Sequence, residues 1–249
     1  MKHINFKEEN NIKSKIILKY INAPEQINSI EHVNQLLEDS SCFTLIEKPF
    51  FLNIINIVND ICSNNVPGDI VIVGVFKGGS ALYIKALFDE LGYTRKIWLF
   101  DSFKGFNITN IKHEKDLNSL ALFSSDKEFE WEKLASPKSV EHLFQKFDMN
   151  KNIEIVDGYI EESLKSVIIE SIAFLHIDVD CYEPTLYTLE NLYPKITLGG
   201  WCVLDDYYVS IFGCSDATDH YRSKNNIESP IVKFGKYPAG WKIIKNNYD

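Results

Sequence analysis

The chain has 249 residues, a formal net charge of -9, 45% hydrophobic and 24% charged residues, which suits one sizeable packed domain with extensions and excludes a disordered or fibrous chain. With that charge and no Lys/Arg block to offset it locally, nucleic acid is not an expected partner. The five cysteines, Cys42, Cys62, Cys181, Cys202 and Cys214, are scattered without CxxC spacing, so they read as reduced thiols of a cytoplasmic protein rather than a disulfide framework or a zinc site.

The amino-terminal part is charged and helical in character. MKHINFKEENNIKSKIILKY has no uninterrupted apolar core of a secretory signal, and no later run approaches a membrane span, so a soluble, unsecreted chain is expected. In PFFLNIINIVNDIC, Phe50, Phe51, Ile54, Ile55 and Val58 recur at helical spacing before the turn signal NNVPGD. Residues 1–65 are therefore expected to form a helical cap or extension, and residues 66–249 the main domain.

From Gly68 the rhythm changes to short β-rich runs, DIVIVG, KIWLFD, NIEIVD, SIAFLHID and WCVLDD, most followed by a helix-compatible stretch. That alternation predicts an α/β fold with a mostly parallel sheet covered by helices. Residues 103–150 break the rhythm, being long, polar and convincingly helical only near Val140 to Phe147; an insertion or lid over a site is expected there. Near the carboxyl end, SPIVKFGKYPAGWKIIKN reads as an antiparallel hairpin.

Three constellations carry chemistry. In GDIVIVGVFKGGSALYIKALFDELG a buried-looking strand runs into Gly74, then a turn with Gly78 and Gly79 and a helix opening near Ser80, an arrangement that lets backbone N–H groups approach a ligand. Phe76 stands where a dinucleotide fold has its second glycine, which favours a smaller carboxylate-and-amine tail over a pyrophosphate. Asp101, at the end of KIWLFD, is placed to accept both ribose hydroxyls of a nucleoside, and Tyr159 in VDGY is placed to stack on adenine. The second constellation is His176, Asp178 and Asp180, whose alternation puts all three on one side of a strand end. In the third, LGGWCVLDDYY, a Gly-Gly turn and a short strand end in Asp205 and Asp206, adjacent acids that repel unless something positive sits between them. Carboxylate oxygens alone suit Mg²⁺ and do not suit zinc. His113, His142 and His220 are assigned no metal role.

Taken together, NNVPGDIVIVGVFKGGSA, KIWLFDSFKGF, HIDVDCYEPTLYTLENLYPKITLGGWCVLDDYY and GCSDATDHYR resemble the macrocin O-methyltransferase family from about Val66 to Arg222. The resemblance implies a Rossmann-like class I methyltransferase fold, a mostly parallel seven-stranded sheet with a carboxyl-terminal antiparallel hairpin, using S-adenosylmethionine and Mg²⁺. It also implies metal binding by Asp178, Asp205 and Asp206, and cofactor contacts from Gly74, Gly78, Gly79, Ser80, Asp101, Ser102 and Gly158, with Phe76, Tyr159 and Asp178 added from the reading above. One departure is visible: Ile72 stands where the family carries a glutamate that helps hold the methionine end of the cofactor.

The function expected is metal-assisted O-methylation of a small molecule, a sugar or glycosylated metabolite. Asp178 is the expected proton acceptor as well as a ligand, with Asp180 and His176 as alternatives for the proton. The expected partners are a small-molecule acceptor bearing a sugar hydroxyl, with a homo-oligomer left open, and neither nucleic acid nor membrane. Two rival readings are a nucleotide-sugar glycosyltransferase using the D-x-D at 178–180, and a non-catalytic S-adenosylmethionine-binding protein.

Overall fold

Five of the runs that end in Gly or Asp form parallel strands: β1 (Asp69–Val73), β2 (Ile97–Asp101), β3 (Ile153–Asp157), β4 (Ile172–Ile177) and β5 (Ile196–Leu204). The carboxyl-terminal hairpin supplies β6 (Val232–Lys233) and β7 (Ala239–Lys242), and the seven strands lie in the order β3-β2-β1-β4-β5-β7-β6, with β7 antiparallel to both β5 and β6. The computed structural model describes residues 13–124 and 131–245; the first twelve residues of the expected cap and 125–130 of the expected insertion lie outside the described residues.

Ahead of the sheet come α1 (Lys13–Tyr20), α2 (Ile30–Glu38) and α3 (Lys48–Ser63); α4 (Gly79–Glu90) follows β1. The segment between β2 and β3 holds α5 (Glu114–Ser124), α6 (Trp131–Leu134) and α7 (Pro137–Lys146), so the insertion is more helical than its polar sequence indicates. Only α7 carries an evident start signal, a Ser136/Ser139 capping box with Pro137 in the first turn. Then come α8 (Ile160–Ser163), α9 (Tyr182–Leu192) and α10 (Cys214–Lys224).

Period-two alternation sorts the strands into two cores. Ile70, Ile72, Leu99 and Phe174 face α3 and α4, meeting Phe50, Phe51, Ile54, Val58 and Leu82, whereas Val71, Val73, Phe100, Leu175 and Ile177 face the side of α9 and α10, meeting Leu189, Leu192 and Tyr221. The expected apolar stripe of α3 is buried along its length, each full side chain contributing about 1.5–3 kcal/mol. Hence α3 and the sheet share one core.

One local reading differs from the structure. Gly199 and Gly200 do not form a turn before a short strand but lie inside the nine-residue β5, where the register with β4 jumps from Ile172↔Ile196 to Phe174↔Trp201. Gly199 has φ +86°, and a Cβ on Gly200 would lie 2.9 Å from the Ala173 carbonyl oxygen, so both glycines serve a bulge and a close strand approach.

The chain winds from β1 outward to β2 and β3 on one side, and from β4 to β5 on the other, so strand order reverses between β1 and β4. In an open α/β sheet that crevice, at the carboxyl ends of the strands, is where ligands bind. No helix among the described residues is long and apolar enough to cross a membrane.

Candidate active site

A cavity of about 1080 Å³ occupies this crevice. Its floor comes from the strand ends: Gly74 to Phe76 after β1, Asp101 and Ser102 after β2, Gly158 and Tyr159 after β3, Asp178 and Asp180 after β4, and Asp205 and Asp206 after β5. Its outer wall is more apolar, with Leu37, Phe106, Ile108, Trp131, Ile211 and Phe212 from the amino-terminal segment, the insertion and the stretch after β5.

The glycines after β1 divide into two kinds. Gly74 lines the cavity with φ +91°, and its N–H donates to the Phe100 carbonyl at 2.9 Å. Gly78 and Gly79, expected to contact the cofactor, are not among the cavity residues. Gly78 takes φ +88° as the cap of α4 and packs on Val140 and Leu143, while Gly79 donates to the Phe43 carbonyl at 3.0 Å and a Cβ there would lie 2.5 Å from the same oxygen. Ser80, in the first turn of α4, does reach the cavity.

Asp101 sits where the sequence placed it, but its carboxylate already has work within the chain. Oδ2 accepts from the Val75 and Phe76 N–H groups at 2.7 and 2.8 Å, and Oδ1 accepts from Phe103 N–H at 2.7 Å. A carboxylate offers about four lone-pair sites, so capacity remains for a ligand hydroxyl. Ile72 is fully buried between Leu99 and His176 and is not a cavity residue, so this position looks toward α3 rather than the crevice.

At the other end of the crevice, oxygen atoms of Asp178, Asp205 and Asp206 lie within 4.8 Å of one another. Burial first, then mutual repulsion, pushes all three carboxyls well above their ordinary range. Asp205 Oδ1 and Asp206 Oδ2 are buried with no hydrogen-bond partner among the described residues. Orphaned, converging carboxylate oxygens are the donor set of a hard divalent cation, and the residues fit one.

The alternation expected for His176, Asp178 and Asp180 ends with the strand at Ile177. His176 turns into the α3 side, fully buried and stacked on Phe50 with ring centroids 5.3 Å apart, and burial lowers its pKa to about 3. It is thus a neutral core ring and not a cavity residue, so the structure does not bring it to the aspartates. Asp180 does join the cavity: it takes φ +55°, its N–H donates to the Asp206 carboxylate, and burial with the nearby Asp116 charge moves its pKa up to about 7.

The sequence reading missed a latch between the insertion and this loop. Asp116 of α5, fully buried, accepts from Tyr182 N–H at 2.7 Å and Gly213 N–H at 2.6 Å, the starts of α9 and α10. Reciprocally, Glu183 of α9 accepts from Lys112 and His113 N–H at 3.0 Å, and the His113 ring stacks on Tyr182 at 4.7 Å. No spacing rule links Asp116 to residues 66 and 97 positions away, and only the fold brings them together.

The crevice thus has a glycine loop and an acidic strand end on one side of the switch point and three converging carboxylates on the other. The chain matches the Macrocin-O-methyltransferase (TylF) family over residues 6–242. It belongs to that family. A demethyldecarbamoylnovobiocin O-methyltransferase of Streptomyces niveus is 30% identical over 192 residues, spanning 76% of this chain and 71% of that protein. An 8-demethyl-8-(2,3-dimethoxy-alpha-L-rhamnosyl)-tetracenomycin-C 4'-O-methyltransferase of Streptomyces olivaceus is 30% identical over 192 residues, 74% of this chain and 69% of that one. Among solved structures, the O-methyltransferase NovP superposes with a TM-score of 0.78 at 26% identity, covering 93% of this chain and 98% of that one.

As a member of the macrocin O-methyltransferase family the chain is an O-methyltransferase of class I fold, with S-adenosylmethionine as methyl donor. The glycosyltransferase reading, which gave no task to Gly74, Asp101 or the Asp205–Asp206 pair, does not survive this membership.

Proposed function

We propose that this chain methylates a hydroxyl on the sugar of a small glycosylated molecule, assisted by Mg²⁺ held by Asp178, Asp205 and Asp206. The observation that carries the metal part is the convergence of Asp178, Asp205 and Asp206 oxygens within 4.8 Å at the strand ends, with buried oxygens of Asp205 and Asp206 left without a hydrogen-bond partner among the described residues. The acceptor class is supported by the Streptomyces olivaceus relative, whose name specifies a rhamnosyl-bearing substrate, and by the apolar outer wall, which suits the body of a glycoside.

The cofactor half is assigned to Gly74, Phe76, Ser80, Asp101, Ser102, Gly158 and Tyr159, all cavity residues. Gly74 leaves the space and Asp101 holds the loop, while Tyr159 offers a ring face for adenine. When bound, a divalent cation lowers the pKa of a hydroxyl oxygen that it touches, which makes that oxygen a nucleophile for a sulfonium methyl.

Asp178, Asp205 and Asp206 would hold the ion and so orient a hydroxyl toward the cofactor side of the crevice. Asp180 is the better proton acceptor: it lines the same cavity and stands beside, but outside, the three-carboxylate cluster, so its carboxylate is not spent as a ligand. Asp178, first expected to do both tasks, then serves as ligand.

The test is the Asp205→Asn, Asp206→Asn double variant with S-adenosylmethionine, Mg²⁺ and a rhamnoside acceptor. Activity should fall below detection while S-adenosylhomocysteine affinity stays within about threefold of wild type. Full turnover in the double variant, or in excess chelator, removes the metal from the mechanism.

A further inference from the structure

The first turn of α3 breaks a local rule. A helix amino-terminal cap is normally Ser, Thr, Asp or Asn, whose short side chain accepts from an N–H of the first turn. Here the cap is Glu47, and its carboxylate makes no cap bond; only its backbone carbonyl serves the helix, accepting from Phe50 N–H at 3.0 Å. The side chain instead crosses to another segment, where Oε1 accepts from Ile27 N–H at 2.8 Å.

Glu47 is 7% exposed and lines the cavity. It lies on the wall where the chain returns through Gly235 against Pro49 and Phe50, next to the cavity residues Lys236 to Pro238. Its charge reaches Asp205, so it sits near the aspartate half of the crevice. It is nevertheless not part of the three-carboxylate cluster, whose members are Asp178, Asp205 and Asp206. Among the described residues its side chain accepts a hydrogen bond from Ile27 N–H, and the Lys236 ammonium on the same wall feels its charge without closing to an ion pair.

A carboxylate placed here repels the neighbouring Asp205, so its charge is not free of cost. A strut to Ile27 needs only one neutral acceptor oxygen, and a cap needs only a serine, so neither role calls for the charge. What remains is a charged oxygen facing the cavity beside the place where the acceptor hydroxyl must enter. Sites that break a local rule without local compensation are where function is expected.

We propose that Glu47 is a specificity residue for the acceptor. Its free carboxylate oxygen accepts a hydrogen bond from a second hydroxyl of the sugar, one carbon or more away from the oxygens held at the aspartate cluster. This rests on the reading that a sugar hydroxyl is the methyl acceptor.

Glu47→Gln is the informative variant, because the amide oxygen keeps the Ile27 bond while the cavity-facing atom becomes an N–H donor. The assay uses methyl α-L-rhamnopyranoside and its 2-, 3- and 4-deoxy analogues as acceptors with S-adenosylmethionine and Mg²⁺. The expected result is a rise of about tenfold or more in acceptor KM for the variant, with S-adenosylhomocysteine affinity and Tm unchanged. One deoxy analogue should abolish the difference between wild type and variant. Equal acceptor KM for wild type and Glu47→Gln on every sugar that is turned over overturns the proposal and leaves the reading intact. No turnover of any of these sugars by wild type counts against the sugar reading itself, and the proposal falls with it.

Discussion

A Cβ added to Gly74 would lie 1.7 Å from the carbonyl oxygen of Asp178, so the glycine loop after β1 and the aspartate cluster touch through their backbones. The contact follows from topology, since β1 and β4 are neighbours and Asp178 N–H donates to the Val73 carbonyl at 2.7 Å. Gly74→Ala cannot be accommodated by a side-chain shift, because the obstacle is main chain. Left-handed backbone adds about 1–2 kcal/mol of strain. The expected outcome is a Tm loss of several degrees, with S-adenosylhomocysteine and Mn²⁺ binding both weakened more than tenfold in calorimetry. Gly78→Ala strains α4 and pushes on Val140 and Leu143 instead, so it should lower Tm while changing ligand affinity much less. If the two variants lose ligand binding equally, the division between a lining and a packing glycine is mistaken.

The aspartate cluster makes stability depend on pH, and the sign is set by which state holds the protons. Asp178, Asp205 and Asp206 are raised well above 3.8, and Asp180 rises to about 7, so the metal-free native state keeps protons that the unfolded chain has released. Stability without metal should therefore fall as pH rises from about 4 through 7, the opposite of the usual salt-bridged carboxylate. A divalent cation bound by Asp178, Asp205 and Asp206 would replace protons there, so the Tm gain from Mg²⁺ or Mn²⁺ should grow with pH across that window. Thermal shifts in buffer with ion or with chelator measure it directly. A gain that is flat or shrinking with pH would contradict cation binding at these carboxylates.

Much of this was legible in the sequence because strand ends announce themselves: DIVIVG, KIWLFD, SIAFLHID and WCVLDD are apolar runs stopped by Gly or Asp, and ligand groups in such a fold sit at those stops. Glycines carry less information, since a residue needed for close approach looks the same whether it also lines the cavity, as Gly74 does against the Asp178 carbonyl, or only packs on the Phe43 carbonyl, as Gly79 does. The Gly199–Gly200 pair, read as a turn, is a bulge for the same reason. The alternation that groups His176 with Asp178 and Asp180 in the sequence ends where the strand does, at Ile177. Glu47 and Asp116 carry no local signal, because their hydrogen-bond partners lie 20 or more residues away along the chain.

Asp101 should prove a dual-purpose residue. Its three accepted N–H bonds fix Val75, Phe76 and Phe103, which line the cavity where the cofactor is proposed to bind. Asn at this position keeps one acceptor oxygen and turns the other into a donor, leaving at least one backbone N–H opposed by another N–H at a cost of about 1–3 kcal/mol. Asp101→Asn is expected to weaken S-adenosylhomocysteine about tenfold or more and to lower Tm, with Mn²⁺ affinity nearly unchanged. An unaltered affinity in calorimetry would show that the loop holds its shape without this carboxylate.

The Asp116 latch predicts that the insertion contributes to turnover and not only to closing the cavity. Asp116 fixes Tyr182, two residues beyond Asp180, and Gly213, just beyond the cavity residue Phe212. Removing its charge in Asp116→Asn leaves one of these N–H groups unmatched in a buried place, since an amide offers one acceptor where the carboxylate offers two. The loop carrying Asp180 then loses its tether while the Gly74 and Asp101 side keeps its own bonds. The expected split is a fall of about tenfold or more in kcat, little change in S-adenosylmethionine KM, and a Tm loss of a few degrees. A variant that lost stability but kept wild-type kcat at low temperature would reduce the latch to a purely structural fastening.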